Sequence, residues 1–300
     1  MRTALRLVGY TAALALAFGA AWNVGAVAGV PAWSVAEPAP DRSAGPPAPE
    51  PPPPAPAPRA EPAPLGLPAT ADGYTLVVPN PAFTPGRAGE LVFTVTGPDG
   101  RPVRAFDVRS EAPMHVVVVR RDVAGFQRLL PTLGPDGLWR VPLVLPAPGI
   151  YRLYADFQPT GGPAQVLGTD LFAPGEFAPV PFVPDRVWQI DGYQVRLDGD
   201  LLAGRPSQVF VTISRDGAAV TDLQPYLGAF GQLVALRRSD LGYLRLQPDA
   251  PPPAPTDRSG PGIAFTGQLP TPGSYRLFLE FRHGRGVHVA EFTVDTRDGA

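Results

Sequence analysis

Apolar and polar positions alternate in short segments along the chain after Pro68, and none of these segments carries a convincing helical period. Leu91–Thr96 alternates strictly, as a half-buried β-strand does. Tyr151–Phe157 also alternates, and its predicted inward residues are Tyr151, Leu153, Ala155 and Phe157. The residues on its opposite face are Arg152, Tyr154 and Asp156. Asp-Gly pairs, which are hairpin signals, occur at Asp99-Gly100, Asp136-Gly137 and Asp216-Gly217. The pattern predicts an all-β fold of short antiparallel strands.

The chain also repeats itself, because four sequence blocks occur twice in the same order. The last three blocks begin at Pro85, Met114 and Leu145 in the first copy and at Ala203, Gly231 and Leu269 in the second. We therefore predict two tandem antiparallel immunoglobulin-like β-sandwiches related by duplication. Domain 1 covers residues 71–176, a linker covers residues 177–189, and domain 2 covers residues 190–297.

The last block reads LPAPGIYRLYADF in domain 1 and LPTPGSYRLFLEF in domain 2. A tyrosine that follows Pro-Gly at a strand start is typical of a tyrosine corner, in which its hydroxyl ties the strand to an upstream loop. We expect Tyr151 and Tyr275 to do this. The chain has no cysteine, which excludes disulfides and thiolate metal sites, so packing alone must hold each domain together.

The N-terminal segment, residues 1–36, differs from the rest. Arg2 and Arg6 precede an uncharged apolar stretch long enough to cross a bilayer, and these arginines place the N-terminus on the cytoplasmic side. The alternative is a cleaved signal peptide, for which the small-residue sequence ending at Ala28 provides the cleavage signal. Either way the chain is exported: it is attached to the cell membrane by this helix, or secreted if the segment is cleaved.

Residues 37–70 are almost wholly proline, alanine and scattered charges. Such a segment has too little apolar surface to form a core, and it favours an extended polyproline II conformation. We predict a disordered, semi-rigid stalk that separates the two domains from the membrane. The formal net charge of the whole chain is -2, which argues against nucleic-acid binding because that requires a basic surface.

The repeated blocks resemble those of actinobacterial secreted or membrane-anchored proteins with tandem immunoglobulin-like domains, in the YtkA-like and FixH-like, heavy-metal-associated group. The resemblance is carried by a Met-His pair, an apolar run and Arg-Arg-Asp, followed by the Pro-Gly-x-Tyr block. It implies a metal-handling role built on histidines, commonly as His-x-His-Pro. This sequence has Arg128–Pro131 and Arg245–Pro248 in those places, and Gln232 stands where domain 1 has His115.

The remaining candidates for metal ligands are Met114, His115, His283 and His288, and copper is the candidate cofactor, since imidazole and thioether ligands suit it. FRHGRGVHVAEF predicts a hairpin that brings His283 and His288 together, whereas Met114 and His115 would join them only if the domains fold against each other. The structural alternative is that His283 is a turn residue, His288 lies on a wet strand face, and Met114-His115 caps a buried strand.

Two arginine pairs, Arg120-Arg121 and Arg237-Arg238, recur at equivalent positions, each followed closely by an aspartate. They predict a solvated strand end or a salt-bridged turn, with anion binding as the alternative. No zinc-protease, hydrolase or phosphate-loop motif occurs in the sequence. We therefore predict a non-enzymatic, membrane-anchored interaction or scaffold protein of the bacterial cell envelope, with another envelope protein as its partner and no required cofactor. The alternative is a copper- or heavy-metal-handling envelope accessory protein.

Overall fold

The computed structural model describes residues 66–298, which lie within one compact unit that covers Ala60–Ala300. The predicted anchor at residues 1–36 and nearly all of the predicted stalk at residues 37–70 lie outside the described residues. The described part is all-β, as predicted, and contains no helix. Across residues 66–298 there is accordingly no helix long and apolar enough to cross a membrane.

The first copy contains nine strands: β1 (Thr70–Ala71), β2 (Tyr74–Val77), β3 (Ala88–Thr96), β4 (Met114–Arg120), β5 (Gln127–Leu129), β6 (Thr132–Leu133), β7 (Trp139–Val144), β8 (Gly149–Phe157) and β9 (Gln165–Ala173). They form a five-stranded sheet in the order β1-β2-β3-β7-β6 and a four-stranded sheet in the order β5-β4-β8-β9. All of these ladders are antiparallel.

The second copy contains ten strands: β10 (Val187–Ile190), β11 (Tyr193–Asp198), β12 (Leu202–Ala203), β13 (Pro206–Arg215), β14 (Ala218–Ala219), β15 (Gln232–Arg237), β16 (Tyr243–Pro248), β17 (Gly262–Gln268), β18 (Gly273–His283) and β19 (Gly286–Asp298). They form one continuous sheet in the order β10-β11-β13-β17-β16-β15-β18-β19-β12, with β14 on β13. The short β12–β19 pair is parallel. Strand β10 begins at Val187, inside the predicted linker. Because it pairs with β11, the end of the predicted linker belongs to the sheet of the second copy.

Strand β16 is continuous and pairs with both β15 and β17, so it joins the two halves of the second copy. In the first copy the corresponding segment is divided into β5, which pairs with β4, and β6, which pairs with β7. The predicted Asp216-Gly217 hairpin is confirmed: β13 and β14 pair on either side of these two residues, and both have positive φ angles. This combination is the one that two-residue hairpins favour.

Each copy has its own hydrophobic core between its sheet layers. The predicted inward face of Tyr151–Phe157 is confirmed, since all four of its inward side chains lie in the first core. Trp139 is 1% exposed in the same core and stacks on Phe93 at 6.3 Å between ring centroids. Buried aromatic and aliphatic side chains thus hold this core together without a disulfide.

The two tyrosine corners are present. The hydroxyl of Tyr151 donates to the carbonyl of Ala147 over 2.8 Å, and that of Tyr275 donates to the carbonyl of Thr271 over 2.8 Å. Both rings are buried. Each hydroxyl therefore fixes the start of a long central strand to the loop that precedes it.

Candidate functional site

Strands β4 and β8 of the first copy have one side that faces away from their own core, and so do β15 and β18 of the second copy. These two sides pack against each other. Every residue of β4 is buried, because one side of the strand faces the first core and the other faces the second copy. A third hydrophobic cluster joins the two copies and contains Val117, Val119, Val123, Phe126, Tyr154, Val166, Val234, Leu236, Leu241, Tyr243 and Phe278. We call this contact the inter-repeat face.

Two aromatic stacks at the inter-repeat face are related by the duplication. Phe126 stacks on Phe278 with ring centroids 4.3 Å apart, and Tyr243 stacks on Tyr154 at 5.0 Å. The sequence blocks align Phe126 with Tyr243 and Tyr154 with Phe278. Each copy therefore contributes aromatic side chains at the same two positions, and the first position of each copy stacks on the second position of the other.

Two ion pairs across the inter-repeat face are reciprocal in the same way as the aromatic stacks. Arg128 of the first copy pairs with Glu280 of the second, and both side chains are at most 4% exposed. Arg245, the counterpart of Arg128, pairs with Asp156, the counterpart of Glu280, over 3.2 Å. Asp156 also lies 3.5 Å from a guanidinium nitrogen of Arg109. Burial raises the pKa of Glu280, and the Arg128 guanidinium opposes that rise. Because both acidic groups are buried, the arginines are needed to compensate their charge.

His115, predicted as a metal ligand, lies at the inter-repeat face, with its side chain 2% exposed. Its Nε2 lies 2.8 Å from the carbonyl oxygen of Arg109, to which it donates. Burial lowers the pKa of His115, the hydrogen bond to Arg109 opposes this, and the nearby Arg128 guanidinium adds to the lowering. Gln232 bonds to the same loop in the second copy: its Nε2 donates to the carbonyl of Leu227 over 2.9 Å and lies 3.4 Å from that of Tyr226, the counterpart of Arg109. The imidazole thus occupies a structural position that an amide fills in the other copy.

The other predicted ligands are divided between places. Met114 is fully buried in the first core. The hairpin of β18 and β19 is confirmed and brings His283 and His288 to the same residue, Tyr193, whose ring lies 5.6 Å and 4.5 Å from their rings. His283 Nδ1 lies 2.6 Å from the Tyr193 hydroxyl.

Aspartates complete this histidine pair: His283 Nε2 lies 2.9 Å from Asp222, and His288 Nδ1 lies 3.2 Å from Asp191. The ring nitrogens are therefore already engaged by protein groups. Among the described residues no three histidine, aspartate or glutamate side chains form a group that could hold a metal ion. The four candidate ligands do not come together as one set.

The first arginine of each repeated pair forms a salt bridge within its turn, which is one of the two predicted alternatives. Arg120 contacts Asp122 over 2.7 Å, and Arg237 donates from Nε to Asp240 over 2.8 Å. Burial alone would raise the pKa of Asp122, but hydrogen bonds from Arg120 and from the backbone of Val180 hold it below its ordinary value. The hydrogen bond from Arg237 likewise lowers the pKa of Asp240.

An exposed apolar groove that sequence reasoning missed lies at the end of the first copy. It encloses about 490 Å³ and is lined by Arg121, Gly149, Ile150, Phe172, Pro174 and Phe177. Ile150, Phe172 and Phe177 are 42%, 44% and 46% exposed. No sequence signal marks it, because its lining comes from the β4–β5 turn, both strands of the β8–β9 pair, and the linker.

The fold and the sequence repeat define an all-β protein of two similar units. Each unit consists mainly of antiparallel strands, and the two pack against each other through the inter-repeat face. The chain belongs to the family described as Domain of unknown function (DUF8832), whose profile matches residues 69–168 and 188–298. One matched segment falls in each copy. No curated protein matches the chain.

Solved structures similar to this chain include the Escherichia coli adhesin FdeC, at 12% identity over 76% of this chain and 65% of that chain, with a TM-score of 0.25. Salmonella alpha-2-macroglobulin matches at 16% identity over 77% and 15%, with a TM-score of 0.25. Domains 5–6 of the S-layer protein SbsC match at 12% identity over 75% and 98%, with a TM-score of 0.22. This chain spans less than two thirds of the first two proteins. Similarities this low carry no argument about function.

Proposed function

We propose that this chain is a non-enzymatic interaction or scaffold protein of the bacterial cell envelope. It is anchored by its N-terminal segment and presents two immunoglobulin-like sandwiches outside the membrane. One observation carries the interaction role, the exposed apolar groove of the first copy. Exposed, contiguous apolar surface on a folded unit is typical of a protein-binding site.

Comparison with the second copy supports this reading of the groove. The β8–β9 register pairs Ile150 with Phe172, and the equivalent β18–β19 register pairs Ser274 with Asp295. The backbone N–H of Arg121 donates to Ile150 over 2.9 Å, and that of Arg238 donates to Ser274 over 2.9 Å, so the positions correspond. The fold accepts polar residues there, so folding does not require the apolar side chains of the groove.

The chemistry of the groove describes the partner. Three exposed apolar side chains offer a surface for an apolar or aromatic segment, and Arg121 at the rim offers a guanidinium to a carboxylate. The partner that fits is an extracytoplasmic protein with an apolar anchor residue next to an acidic one.

Site-specific photo-cross-linking in cells tests the proposal. A photoreactive amino acid in place of Phe177 is expected to trap a defined protein adduct. One in place of Phe210, which is 47% exposed in the second copy, is expected to trap none. The double variant Ile150→Ser with Phe172→Asp borrows the residues of the second copy and should abolish the adduct at position 177. Equal adducts from both positions, or an adduct that survives the double variant, would show that the groove is not the binding site.

A further inference from the structure

The inter-repeat face has the chemistry of a homodimer interface. An isologous contact between identical subunits places residue i against residue j and residue j against residue i. The two copies obey this relation: Arg128 faces Glu280 while Arg245 faces Asp156, and the stack of Phe126 on Phe278 is matched by that of Tyr243 on Tyr154. The relation extends beyond these pairs, because Val117 and Val119 align with Val234 and Leu236, which all lie in the shared cluster.

Replacing either copy by the other keeps both ion pairs and both aromatic stacks chemically compatible. Two first copies brought together through this face would set Arg128 against Asp156 and Phe126 against Tyr154, twice over. Two second copies would set Arg245 against Glu280 and Tyr243 against Phe278, also twice. Each combination is again an arginine with a carboxylate and an aromatic ring with an aromatic ring.

We infer that the inter-repeat face is a self-association surface whose partner is another copy of the same repeat, supplied by a second molecule of this chain. The pairing within one chain is then one of three chemically equivalent pairings. This inference does not depend on the apolar groove or on the proposed envelope function.

The linker explains why the intrachain pairing is favoured in the intact protein. A short connection gives the second domain an effective concentration in the millimolar range, far above that of a second molecule. The linker also contacts both copies: the backbone of Val180 donates to Asp122 over 2.8 Å, and the Arg276 guanidinium lies 3.8 Å from the centre of the Phe182 ring. Removing the connection should therefore expose the other two pairings.

The first test cuts the native chain. A protease site is inserted at Val183, which is 75% exposed in the linker, and the folded protein is cleaved, incubated and measured by native mass spectrometry. We expect three non-covalent species: first copy with second copy, first with first, and second with second. Detection of only the mixed pair, or of separated halves, would overturn the inference.

The second test redirects the pairing in the uncut chain by charge reversal. Arg245→Glu with Glu280→Arg sets like charges together within the chain, but restores opposite charges when two second copies face each other. We expect twice the monomer mass by light scattering. The matched control, Arg128→Glu with Glu280→Arg, keeps opposite charges together within the chain and should remain a monomer.

A first variant that is folded by near-ultraviolet circular dichroism and remains a monomer would contradict the inference. A dimeric control would contradict it as well, because the dimer would then not depend on which partners carry the reversed charges. Should the first variant fail to fold, the cleavage experiment decides, since its interface retains the native residues.

Discussion

The two copies share one architecture, yet they use their surfaces in different ways. At the inter-repeat face they agree in chemical type, with arginine, carboxylate and aromatic side chains at matching positions. They differ at the end of the β8–β9 pair that lines the apolar groove, where the first copy has Ile150 and Phe172 and the second copy has Ser274 and Asp295. Agreement marks the surface by which the copies hold each other, and divergence marks a surface free to acquire a separate role.

The largest expected effect comes from breaking the more buried of the two ion pairs. Arg128→Ala leaves the Glu280 carboxylate buried without its guanidinium, which should cost about 3–5 kcal/mol of the free energy of unfolding. Arg245→Ala should cost clearly less, because Asp156 keeps the Arg109 guanidinium 3.5 Å away. Urea denaturation of both variants measures the two losses. Equal losses would show that the two pairs are energetically equivalent and that Arg109 does not compensate.

A smaller effect should distinguish the two tyrosine corners. Tyr151→Phe and Tyr275→Phe each remove a hydrogen bond to a backbone carbonyl, so each should cost about 0.5–1.5 kcal/mol. The loss at Tyr151 should be the larger, because its hydroxyl also accepts from the backbone N–H of Ala147 over 3.2 Å, whereas the second contact of the Tyr275 hydroxyl, with the Thr271 hydroxyl, is longer at 3.5 Å. Denaturant midpoints of the two variants give the comparison, and a larger loss at Tyr275 would argue against it.

The difference between His115 and Gln232 should appear in the pH dependence of stability. Burial lowers the pKa of His115 in the folded chain, so the unfolded chain binds the proton more readily. The contribution of His115 is therefore fully present above the unfolded pKa near 6.5 and is lost as pH falls through the folded pKa. The groups facing His115 include Arg128, Asp156 and Arg245.

His115→Gln should keep the bond to the Arg109 carbonyl and reduce the loss of stability between pH 7.5 and pH 5. Denaturation at the two pH values, with the native chain as control, measures the change. Because His283 and His288 are present in both proteins, the difference reports on His115 alone. An unchanged loss of stability in the variant would exclude His115 as its source.

The smallest effect is expected for copper. His115→Gln should leave copper affinity unchanged, since Nε2 of His115 is bonded to a backbone carbonyl inside the inter-repeat face. Calorimetric titration of the chain with and without the substitution tests this. Stoichiometric binding below micromolar that disappears in the variant would restore the metal-handling hypothesis.

The sequence pattern was informative about single strands and turns and uninformative about what covers them. Alternation identified the inward face of Tyr151–Phe157, and the Pro-Gly-x-Tyr block identified both tyrosine corners, because these depend on neighbours in the chain. Alternation also set Tyr154 and Asp156 on the opposite face, but a pattern cannot show that this face meets another domain. The apolar run Val116–Val119 was the available signal, since a strand apolar on both faces is typically buried on both.

The groove could not be predicted from the sequence for a different reason. Its residues Arg121, Ile150, Phe172 and Phe177 come from separate segments, and each taken alone is an ordinary surface residue. The histidine hairpin shows the converse case. Its turn was predicted from local sequence, but the aspartates that engage the ring nitrogens come from segments distant in sequence and could not be predicted.

The continuous strand β16 has a consequence for how the two copies open. In the second copy it links both layers through backbone hydrogen bonds, so the layers cannot part at that edge without breaking a ladder. In the first copy β5 pairs with β4 in one layer and β6 pairs with β7 in the other. The two layers can therefore separate at this edge with both of these ladders intact. Amide protons of β6 and β7 should thus exchange with deuterated solvent through a partial opening, whereas those of β16 and β17 should require a larger cooperative event.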